Sequence, residues 1–350
     1  MKKLLLAEVA VLLVLVVVAM FVRAGAFRVS DTQLDVPDQS QQYSNPTDAP
    51  TDPPTDPPTD PPTDPPTDPP APTQPPTEPE GSGIPAQGVV LSASRYFVYD
   101  VTKDKYLAIS GSENNPVYPA SITKLFSAYI ALQHLDPKTV ITAGDELDLV
   151  SAGSSLAYIN KGHRLTVEML VEGMMLPSGN DAAYILAAAA ARAASGRNLS
   201  AEAAIDYFVN MMNTTAKIVG MTGSHFRNPD GFHEADHYTS CHDMVIIAKL
   251  ALSNETITRY TSKVRDHVVY ESGQIIDWEN SNQLIDPSSD YYCENAIGLK
   301  TGTTNAAGNC LLSAFREDDG NVYIIGVFGC KERVDRFKDT RKLYWTQVCN

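Results

Sequence analysis

The sequence predicts an α+β fold in which an antiparallel sheet stands beside a helical lobe. Three observations carry this. Strand-like segments open and close the folded region, at residues 96–100 and 106–109 near its start and 296–301, 308–316 and 321–328 near its end. Helical patterns fill the interval, so the chain builds a lobe and then returns to the same sheet. One helix, 181–194, is alanine-rich and apolar almost all round, which predicts a central, buried position. Such an architecture leaves a cleft where sheet and lobe meet.

Composition narrows the class. The 350 residues carry a net charge of −15, unevenly spread. Residues 46–80 hold eight acids and no base, and residues 1–45 balance to zero, so the remaining 270 residues carry about −7, ordinary for a soluble domain. No basic block or interleaved basic-aromatic stretch is present, which argues against a nucleic-acid partner. The five cysteines show no CxxC spacing and no zinc-like pairing with histidine. Cys310 and Cys330 fall in apolar strand-like runs and are expected to be buried free thiols.

Taken in order, the chain divides into three parts. Residues 1–28 hold Lys2, Lys3 and an unbroken apolar run from Val9 to Val22, the pattern of an export signal. Ala24-Gly25-Ala26 offers a cleavage site, whereas the length of the segment and Arg23 favour an uncleaved membrane anchor, so both readings stay open. Residues 29–85 form a linker containing five TDPP units between Thr51 and Pro70. So much proline, with like charges throughout, predicts an extended spacer at about 3.1 Å per residue. Residues 86–350 make one folded domain.

Within that domain Val89-Val90-Leu91 reads as a short strand, and residues 96–100 and 106–109 as a hairpin turning at Lys103-Asp104-Lys105. A helix begins near Ser121 and stops at Asp136-Pro137. Residues 140–162 are short and broken. Val167 to Met175 is helical and is interrupted by Leu176-Pro177-Ser178-Gly179-Asn180 before the apolar helix. Helices follow at 201–219, closed by Gly220, and at 244–252, with a His-, Asp- and Gly-rich loop at 223–240 between them. The last two strands turn at Glu317-Asp318-Asp319-Gly320, and residues 334–348 close the chain as a helix.

Three short motifs carry chemistry. Ser121 and Lys124 lie one helical turn apart, so an amine faces a hydroxyl. Alone, the pair reads equally as a helix cap beside a surface lysine. Ser178-Gly179-Asn180 sets polar side chains between apolar helices, where they need partners. The other Ser-x-Asn, Ser112-Glu113-Asn114, sits among turn residues and is read as turn chemistry. Lys300-Thr301-Gly302 follows a strand, with Thr303 on the same face as Thr301 and a glycine where a ligand could approach closely. His225, His233 and His237 are separated by Pro229 and turn residues and read as loop, so no metal is expected.

The three motifs in this order form the set of the penicillin-binding proteins and class A β-lactamases. Their surroundings sharpen this: Pro119-Ala120-Ser121-Ile122-Thr123-Lys124, Ser178-Gly179-Asn180-Asp181, Asn228-Pro229-Asp230-Gly231-Phe232 and Gly298-Leu299-Lys300-Thr301-Gly302-Thr303. Over residues 86–350 the chain resembles the serine D-alanyl-D-alanine carboxypeptidases. The resemblance implies a β-lactamase/transpeptidase-like fold with a five-stranded antiparallel sheet flanked by helices. It implies that Ser121 attacks the carbonyl between two D-alanines of a peptidoglycan stem peptide, with Lys124 as base, its pKa lowered by burial and by Lys300. Ser178 would relay a proton to the leaving D-alanine and Asn180 would hold the substrate amide. The backbone N–H groups of Ser121 and Thr303 would form the oxyanion hole. Lys300 and Thr301 would meet the terminal carboxylate, and Gly302 would let the stem lie along the strand. The arginine the family often supplies after the last strand is expected at Lys331 or Arg333. The same resemblance implies β-lactam antibiotics as covalent inhibitors, no cofactor, and a place in the cell envelope, anchored through the N-terminal segment or released after cleavage. Only 48 residues follow Gly302, so no additional C-terminal β-domain is expected. A D,D-endopeptidase is the alternative within the family. A β-lactamase, for which residues 181–299 offer no Glu-x-x-x-Asn element, and a non-catalytic β-lactam sensor stand behind it.

Overall fold

Five strands pair antiparallel in the spatial order Lys105–Ile109, Arg95–Asp100, Val322–Cys330, Gly308–Arg316 and Ala296–Thr304. This is the computed structural model of the chain, and it describes residues 83–349. The N-terminal apolar segment and the TDPP linker lie outside the described residues. The strands expected at both ends of the folded region share one sheet, and the first hairpin meets the last strand directly, with Val98 opposite Ile325. Lys300 lies opposite Leu312 on the outermost strand.

Side chains alternate across the sheet with period two. Phe97 and Tyr99 face the helical lobe and join a core that includes Leu125, Phe126 and Ile185. Val98, Leu311, Phe315 and Ile325 face the other way and are covered by Phe337, Leu343 and Tyr344 of the C-terminal helix, Asp335–Gln347. The rings of Phe315 and Tyr344 stack there at 4.2 Å.

The lobe is built around the helix Asn180–Ser195, whose residues 180–191 are all buried. The alanines let neighbouring helices approach closely, and Gly196 ends the helix in the left-handed conformation. Val167–Met175 is capped by the Thr166 hydroxyl, Ala201–Ile218 by Ser200 and Cys241–Leu252 by Ser240. All five cysteines are free thiols, and all but Cys349 are buried.

Three local expectations differ from the structure. Val89-Val90-Leu91 is not a strand, and Val90 is 87% exposed. The backbone just beyond it gives the N–H groups of Ser92 and Ala93 to the buried carboxylate of Asp339, at 2.6 and 2.8 Å, instead of to a neighbouring strand. The helix that follows Ser121 ends at Ala131 and continues to Leu135 only as turns.

The third difference is a helix, Glu255–Thr261, followed by a hairpin of Arg265–Val269 and Ile275–Glu279, in a stretch with no predicted element. Each hairpin strand buries a single residue, Val268 and Trp278, too thin a pattern to register as alternation. Trp278 nevertheless pins the hairpin to the lobe. Its ring lies against Gly173, where an added Cβ would sit 3.2 Å away, and its Nε1 donates to the Ala157 carbonyl at 3.1 Å.

Trp278→Ala should lower the unfolding free energy by about 3–5 kcal/mol through the cavity it leaves. Trp278→Phe, which loses the N–H but keeps most of the volume, should cost only about 1–2 kcal/mol. Urea unfolding of the full chain, followed by circular dichroism, measures both.

Candidate active site

Ser121 sits in a single 3-10 turn, Ala120–Ile122, that leads into the helix Thr123–Ala131. Ile122 occupies the cap position of that helix without a side-chain bond, so the Ser121 hydroxyl is not spent on capping. It accepts a hydrogen bond from Lys124 Nζ at 2.9 Å. Ala120 is held at φ +48, a strained conformation for a residue with a side chain. The segment 228–232 presses against this turn. A Cβ at Gly231, φ +83, would lie 1.9 Å from the Ala120 carbonyl oxygen, so the contact requires glycine.

Lys124 is completely buried. Besides Ser121, its Nζ donates to Asn180 Oδ1 at 2.7 Å and to the Asp230 carbonyl at 2.8 Å. All three acceptors are neutral oxygens. Burial brings the amine down to about 8, opposed by the nearby carboxylates of Asp230 and Asp181. The expected repulsion from Lys300 does not contribute to this lowering. Instead the effect falls on Lys300, whose pKa is driven well below its usual value by burial first and then by the charges of Lys124 and Arg336.

The second motif turns on Ser178, held at φ +63. Gly179 N donates to the Gly173 carbonyl at 2.8 Å, and a Cβ on Gly179 would come within 2.6 Å of the Ala157 Cβ. Asn180 uses both ends of its amide: Oδ1 accepts from Lys124 and Nδ2 donates to Ser154 Oγ at 2.8 Å. The Asp181 carboxylate accepts from Ala157 N and Ile159 N at 2.8 and 2.9 Å. The loop 153–159, featureless in the sequence, is thereby tied to the motif.

The third motif lies on the edge strand. Lys300 is buried, and its Nζ donates to the Thr301 carbonyl at 3.2 Å. A Cβ at Gly302 would lie 2.9 Å from the Pro119 carbonyl and 3.2 Å from Ser121 N, so the missing side chain lets the strand press against the Ser121 turn. Thr301 Oγ1 and Ser281 Oγ are 2.6 Å apart. Thr303 is exposed, and its Oγ1 accepts from Arg336 Nη1 at 3.1 Å.

That arginine replaces the ones expected. Lys331 and Arg333 are exposed, whereas Arg336 is 1% exposed and also donates from Nη1 to the Gly302 carbonyl at 3.3 Å. Its Nε is buried without a hydrogen-bond partner, and burial lowers its pKa to about 10. The sequence held a signal for it. Arg336, Thr340 and Leu343 share the buried face of the closing helix, where a guanidinium must have a reason to be.

Lys124, Lys300 and Arg336 thus bring three buried basic side chains together beside the edge strand, an arrangement suited to an anionic ligand. Asp230 has a carboxyl raised by burial and an Oδ2 without a partner. The histidines are engaged elsewhere. His237 Nε2 and Thr123 Oγ1 are 3.0 Å apart, and burial holds that imidazole down to about 3 and hence neutral. His225 Nδ1 lies 2.6 Å from the Asp236 carbonyl, and His233 meets the Tyr118 ring edge-on.

Residues 84–331 match the D-alanyl-D-alanine carboxypeptidase family. Two curated relatives are the D-alanyl-D-alanine carboxypeptidase DacF of Bacillus subtilis and the D-alanyl-D-alanine carboxypeptidase of Streptomyces sp. strain K15. The first is 31% identical over 237 residues, which are 66% of this chain and 56% of that protein. The second is 33% identical over 219 residues, 59% of this chain and 70% of that protein. The crystal structure of the Streptomyces K15 DD-transpeptidase superposes with a TM-score of 0.67 at 26% identity, covering 75% of this chain and 99% of that one. The D-alanyl-D-alanine carboxypeptidase DacD of Francisella tularensis superposes with a TM-score of 0.62 at 26% identity, over 74% of this chain and 71% of that one.

If neutral Lys124 is the base, the second-order rate of Ser121 acylation by a fluorescent penicillin should rise about tenfold per pH unit below 8 and level off above it. The sign follows from the lowered pKa, since the amine is free only above it. Lys124→Arg, which stays charged, should abolish labelling across the range. Gel-based labelling between pH 6 and 10 measures both.

Proposed function

The chain belongs to the D-alanyl-D-alanine carboxypeptidase family, and from that premise we propose that it removes the terminal D-alanine from peptidoglycan stem peptides through an acyl-enzyme on Ser121. The observation that carries this is Lys124 Nζ, buried and placed 2.9 Å from Ser121 Oγ and 2.7 Å from Asn180 Oδ1. A lysine in that environment can lose a proton near neutrality and recover it within one turnover.

The stem peptide lies along the exposed edge of the Ala296–Thr304 strand as an added strand. Its terminal carboxylate meets Lys300, Thr301 and the Arg336 guanidinium. Ser121 Oγ attacks the carbonyl of the penultimate D-alanine while Lys124 takes its proton. The backbone N–H groups of Ser121 and Thr303 receive the developing oxyanion, and Gly302 keeps the two close. Ser178 passes a proton to the departing D-alanine nitrogen, and Asn180 holds the acyl-side amide. Water then hydrolyses the ester, returning the proton to Ser121. A penicillin enters by the same route and leaves Ser121 acylated.

The N-terminal residues 1–28 serve as an export signal or anchor, and residues 29–85 as a spacer that holds the catalytic domain away from the membrane in the cell envelope. The charge and proline content of the TDPP units supports the spacer reading.

Ser121→Ala should reduce release of D-alanine from a D-Ala-D-Ala-ended stem peptide by roughly 10⁴-fold or more and abolish penicillin labelling. Labelling without release in the unaltered protein would overturn the carboxypeptidase reading in favour of a sensor. Arg336→Ala should cut kcat/KM for release by about 10–100-fold, whereas Lys331→Ala should change it less than twofold. Amino-acid release assays provide both comparisons.

A further inference from the structure

Asp230 lends the reacting amine its backbone, and its side chain is buried there as well. The Asp230 carbonyl accepts from Lys124 Nζ at 2.8 Å, and the residue is completely buried. Oδ1 of its carboxyl accepts from Phe232 N at 3.1 Å, whereas Oδ2 has no partner. A buried polar oxygen without a partner is costly. Covalent geometry keeps a carboxyl carbon within about 5 Å of the same residue's carbonyl oxygen. The acid therefore lies within roughly 8 Å of Lys124 Nζ, close enough to change the proton affinity of an amine by about one to two pH units.

The place of Asp230 is fixed by its neighbours. Ser127 Oγ donates to the Pro229 carbonyl at 2.6 Å, so two consecutive carbonyls of the loop receive donors from the helix Thr123–Ala131. Asn228 braces the turn, accepting from Gly231 N at 2.8 Å and donating to the Phe232 carbonyl at 2.9 Å. The other titratable groups facing the pair come from two elements. The helix Asn180–Ser195 presents Asp181, whose carboxylate is already engaged by Ala157 N and Ile159 N, and Tyr184, whose hydroxyl is pushed up by burial and then by Asp230 and Glu234. The edge strand presents Lys300, which Lys124 pushes down. Of the two acids that oppose the effect of burial on Lys124, Asp230 is the stronger.

We infer that Asp230 is a positioning residue for the reaction, holding the Lys124 amine in place through its carbonyl and supporting the charge on that amine through its carboxylate. When Lys124 takes the Ser121 proton it becomes an ammonium in a site closed to water. A fixed carboxylate nearby stabilises that charge as it develops. The same carboxylate makes the resting amine a stronger base. Because it does not bond to the amine, it leaves the proton free to pass on towards the leaving nitrogen. The inference rests on the proposed roles of Ser121 as nucleophile and Lys124 as base.

The test is the pH profile of Ser121 acylation by a fluorescent penicillin, between pH 6 and 10, in the full chain and three variants. Asp230→Asn keeps the shape and the acceptor for Phe232 N but removes the charge. The break in its profile should fall by about one pH unit, and the rate above the break should drop about threefold, as a weaker base gives. Asp230→Ala, also uncharged, should move the break in the same direction. Asp230→Glu keeps the charge and should hold the break within about half a pH unit of its original place. A purely structural role would lower the rate at every pH and leave the break where it was. A break unmoved in both uncharged variants, or moved equally by Asp230→Glu, would overturn the inference and leave Ser121 and Lys124 in their roles. So would the failure of both uncharged variants to fold, read by circular dichroism. A labelling rate in the unaltered protein that does not change with pH would instead overturn the reading of Lys124 as base.

Discussion

A buried amine held by neutral oxygens is the constraint on which the rest of the structure depends. A carboxylate bonded to Lys124 Nζ would pair with it and keep it charged. Instead its partners are a hydroxyl, a side-chain amide and a backbone carbonyl. Each comes from a different part of the chain: the Ser121 turn, the start of the central helix and the 228–232 loop. The amine can be placed only when lobe, turn and loop are packed together. That is why Gly231 and Gly302 lie flush against the turn, and why Ala120 and Ser178 are held in left-handed conformations.

The site also concentrates charge of one sign. Lys300 and Arg336 are buried near Lys124; burial lowers the proton affinity of each, and the charges of Lys124 and Arg336 lower that of Lys300 further. Removing such groups from water costs several kcal/mol each, and their mutual repulsion adds to it. Two features offset this. The sheet is packed on both faces, by the lobe and by the C-terminal helix. The carboxylates of Asp230 and Asp181 lie close enough to soften the field without bonding to the Lys124 amine. What remains is a preorganised place for an anion, in keeping with a substrate that ends in a carboxylate.

Support for the second motif comes from outside it. Asp181 fastens the 153–159 loop through two backbone N–H groups, and Trp278 and Tyr270 of the hairpin both donate to the Ala157 carbonyl. The hairpin, the loop and the start of the central helix therefore position Asn180 as one unit. The hairpin also contributes Glu279 to the lining of a cavity beside Arg336.

The sequence by itself determined the architecture and the three motif positions. Period-two runs, helical spacing and the alanine-rich segment report burial on one face or on all faces, and each is written locally. Ser121–Lys124, Ser178–Asn180 and Lys300–Thr303 were legible because each motif is contiguous and their order is specific. The helix at 255–261 and the hairpin at 265–279 were not, since one buried residue per strand leaves no periodic trace. Tertiary structure alone decided that Ser121 is a partner for Lys124 rather than a helix cap, because the partners at Asn180 and Asp230 lie 56 and 106 residues away. It also decided that Arg336, and not Lys331 or Arg333, reaches the edge strand. Distance along the chain does not say which cation faces inward; the packing of the C-terminal helix against the sheet does.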